Sequence, residues 1–285
     1  MTFSIVARDL QTGEFGVAVQ SKFLAVGAVV PWARAGIGAI ATQAFVNSNY
    51  GPQGLDLLKT GLSTEETLNA LIENDAGRAE RQVGIIGMNG MPVTYTGENC
   101  FDWAGGIVGE HYACQGNILV GQDTVLAMAR AFEETGGLLC DRLLVALAAG
   151  QAAGGDSRGQ QSAALLVVKE HGGYGGYTDR FIDLRVDDHP MPIEEIKRIL
   201  QLHKLYFFRP NPADILPIDS TLTNEIQELL TATGDYHGTI TGSYDEVTKR
   251  AFRAFTGREN LEERWFEDAR LDRVVLNFLR QHVRG

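Results

Sequence analysis

The chain has 285 residues, 44% of them apolar and 21% charged, with a formal net charge of −11. That is room for one large domain or a large and a small one, in the composition range of soluble globular proteins. The acidic balance excludes a nucleic-acid binder, which needs clustered lysine and arginine to neutralise phosphate. No run approaches the roughly 20 apolar residues of a membrane helix. The start lacks the basic and apolar regions of a secretory signal, so the expected location is the cytoplasm.

The opening, Met1-Thr2-Phe3-Ser4-Ile5-Val6, reads as a strand from its first residues. Either Thr2 is simply a β-branched strand former, or Met1 is removed and Thr2 becomes a catalytic N-terminus. Residues 2–8 and 16–21 flank the turn Gln11-Thr12-Gly13-Glu14, a hairpin signal. Counting back from the turn sets Thr2 opposite about Ser21. Two apolar runs follow, Ala25–Pro31 and Gly36–Gln43, then a polar loop over 47–51 and a helix over Pro52–Lys59. Ser63-Thr64-Glu65-Glu66 is a capping-box start for a second helix ending near Asn74.

Asn89-Gly90 marks a further hairpin between Gln82–Gly87 and Pro92–Thr96. A strand at Tyr112–Gly116 precedes helices at Asp123–Glu134 and Leu138–Gln151; strands follow at Ser162–Val168 and Phe181–Val186. A helix runs from Ile193 to about Leu205. The proline-rich stretch 206–217 reads as a linker, since prolines stop helices and stiffen loops. Of the 33 glycines, 28 precede residue 185. The expected division is therefore a domain over 1–205, the linker, and an all-α bundle over 218–285. Helix pairs placed between blocks of antiparallel strands predict an α+β fold in which two packed sheets carry helices on both outer faces.

Cofactor and metal chemistry find no support. Cys100, Cys114 and Cys140 lack CxxC spacing and read as buried reduced thiols. The six histidines form neither an HxxxH pair nor an HExxH motif, and no Walker lysine loop occurs.

Thr2, the hairpin and Val17-Ala18-Val19-Gln20-Ser21-Lys22 resemble the opening of proteasome-like N-terminal-nucleophile hydrolases, and the element order is similar to their four-layer αββα sandwich. Residues 2–205 resemble more closely the bacterial domain-of-unknown-function family 1028. The stretches TFSIVARD, VPWARAGIGAIATQAF, NYGPQGL, QGN and AGQAAGGDSRGQQSAALLV carry that resemblance.

A threonine hydroxyl needs a base as it attacks. A freed α-amine, with a pKa of about 7.7–8.0, is partly neutral near pH 7 and can serve. Lys22 is either a charged neighbour that disfavours protonation of that amine or an ordinary solvated lysine. The turn Thr42-Gln43-Ala44 offers backbone amides and the Gln43 side chain to an oxyanion. By resemblance, Asn117 falls at a small-residue turn beside the nucleophile and Asp156 where an aspartate orients the amine; Asp156 otherwise reads as a loop cap. Arg158, Asn47 and Asn49 are candidate substrate contacts, although loop asparagines usually form turns. Proteasome-like chains carry an aspartate where Gln20 stands and a lysine where only apolar residues occur around Val26–Val30. Both departures weaken a direct transfer of that mechanism.

Residues 218–285 are similar to peptidoglycan-binding three-helix modules, on the pattern Ile226-Gln227-Glu228-Leu229-Leu230, Gly238-Thr239-Ile240-Thr241-Gly242 and Val247–Phe252. Ile226, Leu229, Leu230, Val247, Phe252 and Phe255 read as core. The leading expectation is an amide hydrolase acting on a small polar molecule, with Thr2 as nucleophile and base. The competing expectation is a non-catalytic binding or assembly protein whose C-terminal bundle contacts cell-wall fragments or a protein partner. The acidic surface and Leu205-Tyr206-Phe207-Phe208, read as exposed, point to a homodimer.

Overall fold

Antiparallel pairing runs through every sheet of the computed structural model, which describes residues 2–283. The first hairpin joins β1 (Thr2–Asp9) to β2 (Glu14–Ser21). Its register sets Phe3 against Gln20, so Thr2 faces Ser21 as the turn implies. A 3-10 turn at Val26–Ala28 stands where the apolar run 25–31 predicts a strand, and the strand β3 (Pro31–Arg34) begins only at its end. Ala25 sits at φ 53°, in the left-handed region, which breaks the extended run. Then come β4 (Gly38–Ala44), α1 (Tyr50–Lys59) and α2 (Thr64–Glu73). The predicted capping box at Ser63 and Glu66 is formed.

Strands β5 (Arg81–Gly87) and β6 (Val93–Thr96) form the Asn-Gly hairpin. A strand that the sequence pattern does not predict, β7 (Gly105–Gly109), pairs with β8 (Tyr112–Asn117). Next are α3 (Asp123–Glu134), α4 (Leu139–Ala152), β9 (Ser162–Val168), β10 (Arg180–Val186) and α5 (Pro192–Phe207). One sheet has the order β10-β9-β2-β1-β8-β7 and the other β3-β4-β5-β6. Strands β1 and β8 pack on β4 and β5; α1 and α2 pack on the four-stranded sheet, α3 and α4 on the six-stranded one.

Strand alternation sorts the side chains. From β1, Phe3 lies under Gly150 of α4, while Ser4 and Val6 face the other sheet. Between the sheets the core is mostly aliphatic, with Val6, Val17, Val19, Ala39, Ala41 and Leu166 beside Phe15. Ile40, Leu55, Leu58, Leu71 and Ile85 fill the space under α1 and α2.

The chain divides into two units, 1–200 and 201–285. The second holds β11 (Ile215–Pro217), α6 (Ser220–Ala232), α7 (Glu246–Arg258), β12 (Arg270–Asp272) and α8 (Arg273–His282). Three expectations need correction here. The bundle is not all-α, because β11 pairs with β12, and the pairing takes in residues read as linker. Leu205 and Tyr206 lie partly buried against the unit's own core of Ile226, Leu230, Phe252, Phe255 and Leu276, so of the stretch read as exposed only Phe207, at 50%, is well exposed. Val247, read as core, is exposed; its helix turns Phe252 and Phe255 inward instead.

The second unit is fastened by a buried ion pair. Arg264 Nη1 donates to Asp272 at 2.5 Å, and its other nitrogens donate to the Leu205 and Lys204 carbonyls at 2.6 and 2.7 Å. Asp272 also caps α8 through the Val274 amide, a bond asparagine can keep. Breaking a buried pair leaves an uncompensated charge at a cost of about 3 kcal/mol or more. Asp272→Asn is expected to destabilise the second unit by that amount, read by denaturant unfolding followed on Trp265. An unchanged midpoint would show that the pair does not hold the unit.

Candidate active site

Thr2 stands at the end of β1 between two neighbours. On one side its hydroxyl shares a 3.0 Å hydrogen bond with Ser21 of β2; on the other its strand partner is Asn117 of β8. The Thr2 carbonyl accepts from Gln43 Nε2 at 3.2 Å. Gln43, on β4, also donates to Gln82 Oε1 at 2.7 Å and accepts from Ser4 Oγ at 2.7 Å. Gln82 accepts from Asn117 at 2.8 Å and donates to Thr96 Oγ1 and the Gly116 carbonyl. Gln115 Nε2 closes the network on Ser4 Oγ at 2.7 Å. All four amides are buried. Gly84 makes room for the last of them, since a Cβ there would fall 2.1 Å from Gln115 Oε1.

The candidates from sequence divide on this geometry. Thr2, Gln43 and Asn117 meet at one end of the two sheets. The Gln43 side chain is committed to holding the Thr2 carbonyl and Gln82, and so is turned away from an oxyanion role. Asp156 is buried and reaches the same strand end: it accepts from the Lys22 amide at 2.9 Å and from the Arg158 amide and guanidinium. Gly154 and Gly155, at φ 124° and 61°, give the turn that aims it. Lys22 is a correction. Its side chain is exposed and donates to the Gln160 carbonyl at 3.2 Å, beyond the strand end rather than beside Thr2.

Asn47 and Asn49 are turn formers. Asn47 Oδ1 accepts from the Asn49 amide, and its Nδ2 donates to Asp75. Asp75 also accepts from Tyr50 OH at 2.8 Å and Arg81 Nε at 2.8 Å, while Arg81 donates to the Phe45 carbonyl at 2.6 Å. The loop after β4 is thereby braced. Sequence reasoning misses Ser21, Ser4, Gln82 and Asp75. Alternation from the hairpin register does put Ser21 and Ser4 on the face of Thr2, whereas Gln82 and Asp75 have no local signal.

Beside Asn117 opens a cleft of about 220 Å³, lined by Ala44, Phe45, Glu80, Asn99, Cys100, Phe101, Asn117, Ile118 and Arg158. Thr2 itself does not line it and is 5% exposed. Ala44 and Ile118, at φ 68° and 51°, are both left-handed, and for a β-branched residue such as Ile118 that is uncommon. Ile118 is held there by its amide to the Phe101 carbonyl and its carbonyl to the Ser157 amide. Burial pushes the Cys100 thiol up, and the Glu80 carboxylate adds to that. Among the described residues no group of three or more histidine, cysteine or acidic side chains could hold a metal ion. Met1, whose removal a catalytic Thr2 requires, lies outside the described residues.

The comparisons extend over both units. Residues 2–196 match the model of a "Family of unknown function (DUF1028)", and residues 206–279 that of a "Putative peptidoglycan binding domain". No curated protein matches the chain. The crystal structure of protein SPO2555 from Silicibacter pomeroyi, which falls under the same DUF1028 model, is similar at a TM-score of 0.66 and 31% identity. The match covers 71% of this chain and 86% of that one. No helix among the described residues is long and apolar enough to cross a membrane.

The Arg81 hydrogen bond, reinforced by the Gly77 amide, Tyr50 and Asn47, holds the Asp75 carboxyl well below the usual carboxylate range. A carboxyl depressed in the folded state contributes stability that is fully present above its unfolded pKa of about 4 and is lost as pH falls below that. The stability gap between the wild type and Asp75→Asn is therefore expected to be constant from pH 7 to about 5 and to narrow toward pH 3. Denaturant titrations at several pH values check this. A gap that widens on acidification would contradict it.

Proposed function

The chain belongs to the DUF1028 family, and from that membership and the Thr2 site we propose that it is an N-terminal-nucleophile amide hydrolase. In this reading the two packed sheets, with α1 and α2 outside one and α3 and α4 outside the other, are the four-layer αββα sandwich of such hydrolases. Removal of Met1 frees the Thr2 α-amine. The amine, directly or through one water, takes the proton of the Thr2 hydroxyl as its oxygen attacks an amide carbonyl. The same proton passes to the leaving nitrogen, the C–N bond breaks, and an ester on Thr2 remains. Water then adds to the ester carbonyl, the bond from the acyl carbon to the Thr2 oxygen breaks, and the carboxylic acid leaves as the hydroxyl regains a proton.

The observation that carries the reading is the placement of Thr2. Its carbonyl is pinned by Gln43, its hydroxyl is within hydrogen-bond distance of Ser21, and its strand partner Asn117 lines the cleft. Such bracing holds a nucleophile in one orientation, which is what positioning in catalysis requires. Asp156 and Arg158, joined to the Lys22 amide, fix the neighbouring strand end. The peptidoglycan-binding-like unit is read as a docking module for a cell-wall fragment or a protein partner. The exclusion of Thr2 from the cleft lining and the outward turn of Lys22 favour the second reading, a binding protein on the same fold.

Protein purified from its own host is expected to lack Met1 by intact mass. Thr2→Ala is expected to abolish hydrolysis of an amide library with folding unchanged, and Thr2→Ser to retain part of it, since hydroxyl and amine both survive. Quantitative retention of Met1, or full activity in Thr2→Ala, would end the N-terminal-nucleophile reading, and no hydrolysis by the wild type would leave the binding-protein reading.

A further inference from the structure

The cleft beside Asn117 carries its own chemical signature. Glu80 lines it from the end of the 3-10 turn Arg78–Glu80 before β5, and among the described residues its carboxylate makes no ion pair within 4 Å, whereas Arg158 is paired with Asp156. The charge left without a counterpart on the lining is therefore negative. Phe45 and Phe101 also line the cleft and are both well exposed, at 63% and 65%. Two aromatic faces left in water beside a carboxylate suit a group that is both cationic and flanked by apolar surface. The overall charge of −11 attracts the same sign of ligand from a distance. The remaining polar groups, Asn99 and Asn117, offer amide donors and acceptors that fit the backbone of an amide.

The walls are built rather than accidental. Phe45 follows Ala44, whose left-handed backbone turns the chain out of β4, and its amide and carbonyl are held by the Glu80 carbonyl and by Arg81. The Phe101 carbonyl holds left-handed Ile118 on the opposite wall. Non-glycine residues kept at such angles by surrounding bonds cluster where a chain is shaped for a ligand. At about 220 Å³ the space falls below the 300–1,000 Å³ of sites for drug-sized ligands, which limits the occupant to a small molecule.

We infer that the cleft selects a small amide bearing a primary ammonium group next to an apolar or aromatic side chain, with Glu80 holding the ammonium and Phe45 and Phe101 the apolar part. The inference rests on the proposed hydrolase reading only for the fate of the bound amide, because recognition is separable from hydrolysis.

The test therefore uses the full chain carrying Thr2→Ala, so that binding is measured without turnover. Phenylalaninamide, its uncharged N-acetyl derivative and the anion N-acetylphenylalanine are titrated by calorimetry or by ligand-observed nuclear magnetic resonance. An exposed ion pair is worth little, so the cationic amide is expected to bind only about fivefold more tightly than the neutral one. Glu80→Gln in the same background should erase that preference, and salt should weaken it. A preference that survives Glu80→Gln would assign it to the general acidity of the surface and overturn the assignment. So would tightest binding of the anion, which would pass recognition to Arg158, or no saturable binding of any of the three. Failure of Thr2 to act as a nucleophile leaves the binding preference untouched, so the two readings fail separately.

Discussion

Gln82 lies wholly inside the protein between the two sheets, with its side-chain oxygen accepting from Gln43 and Asn117 and its nitrogen donating to Thr96 and the Gly116 carbonyl. A buried amide that loses its partners costs the full desolvation of each group, about 1–3 kcal/mol. The network of Gln43, Gln82, Gln115, Asn117 and Ser4 thus admits one register of β4 and β5 against β1 and β8. A slip of one residue in any of these strands would turn its amides to the opposite face and leave their partners unpaired. Through Gln43 the same network reaches the Thr2 carbonyl, and through Asn117 it reaches the cleft. The orientation of Thr2 is therefore a consequence of how the sheets are keyed together, not of residues added around it. The buried Gln115 Oε1 has no hydrogen-bond partner among the described residues, and it faces the space that Gly84 leaves.

Local patterns make much of the frame legible. The Thr12-Gly13 turn sets the β1–β2 register, Asn89-Gly90 sets β5–β6, and the Ser63–Glu66 capping box marks the start of α2. Each is decided by a few contiguous residues. The illegible features depend on partners far along the chain. Gln82 in Arg81-Gln82-Val83-Gly84 looks like any half-polar strand position until β4 and β8 are placed against it. Strand β7, with Gly105 and Gly106, has little strand propensity of its own and is held by pairing with β8. Counting along β2 places Lys22 near Thr2, but the strand ends at Ser21 and the chain turns outward one residue later.

The site divides in the same way. Thr2, Gln43 and Asn117 sit on strands, where position along the chain translates directly into position in space, whereas Asp156, on the glycine turn after α4, is placed from the sequence only by resemblance. The cleft walls are not, because Phe45, Glu80 and Phe101 come from three loops whose mutual approach is set by the sheets beneath them. The brace of Asp75, Arg81 and Tyr50 shows how such a loop is fixed: a carboxylate with several donors holds the Asn47 side chain while Arg81 holds the Phe45 carbonyl. In the second unit, the helix pattern is legible but the short β11–β12 pairing is not, since three-residue strands carry no periodicity.

Covalent trapping tests most directly whether Thr2 is a nucleophile activated by its own amine. An electrophilic β-lactone incubated with protein from its native host should open on the Thr2 oxygen, forming an ester and returning the hydroxyl proton to the ring oxygen. Peptide mapping by mass spectrometry should then find the full lactone mass on a peptide beginning at Thr2, and Thr2→Ala should acquire none there. Labelling of other residues with Thr2 unmodified, or modification that is equally fast when Met1 is still attached, would contradict that role for Thr2.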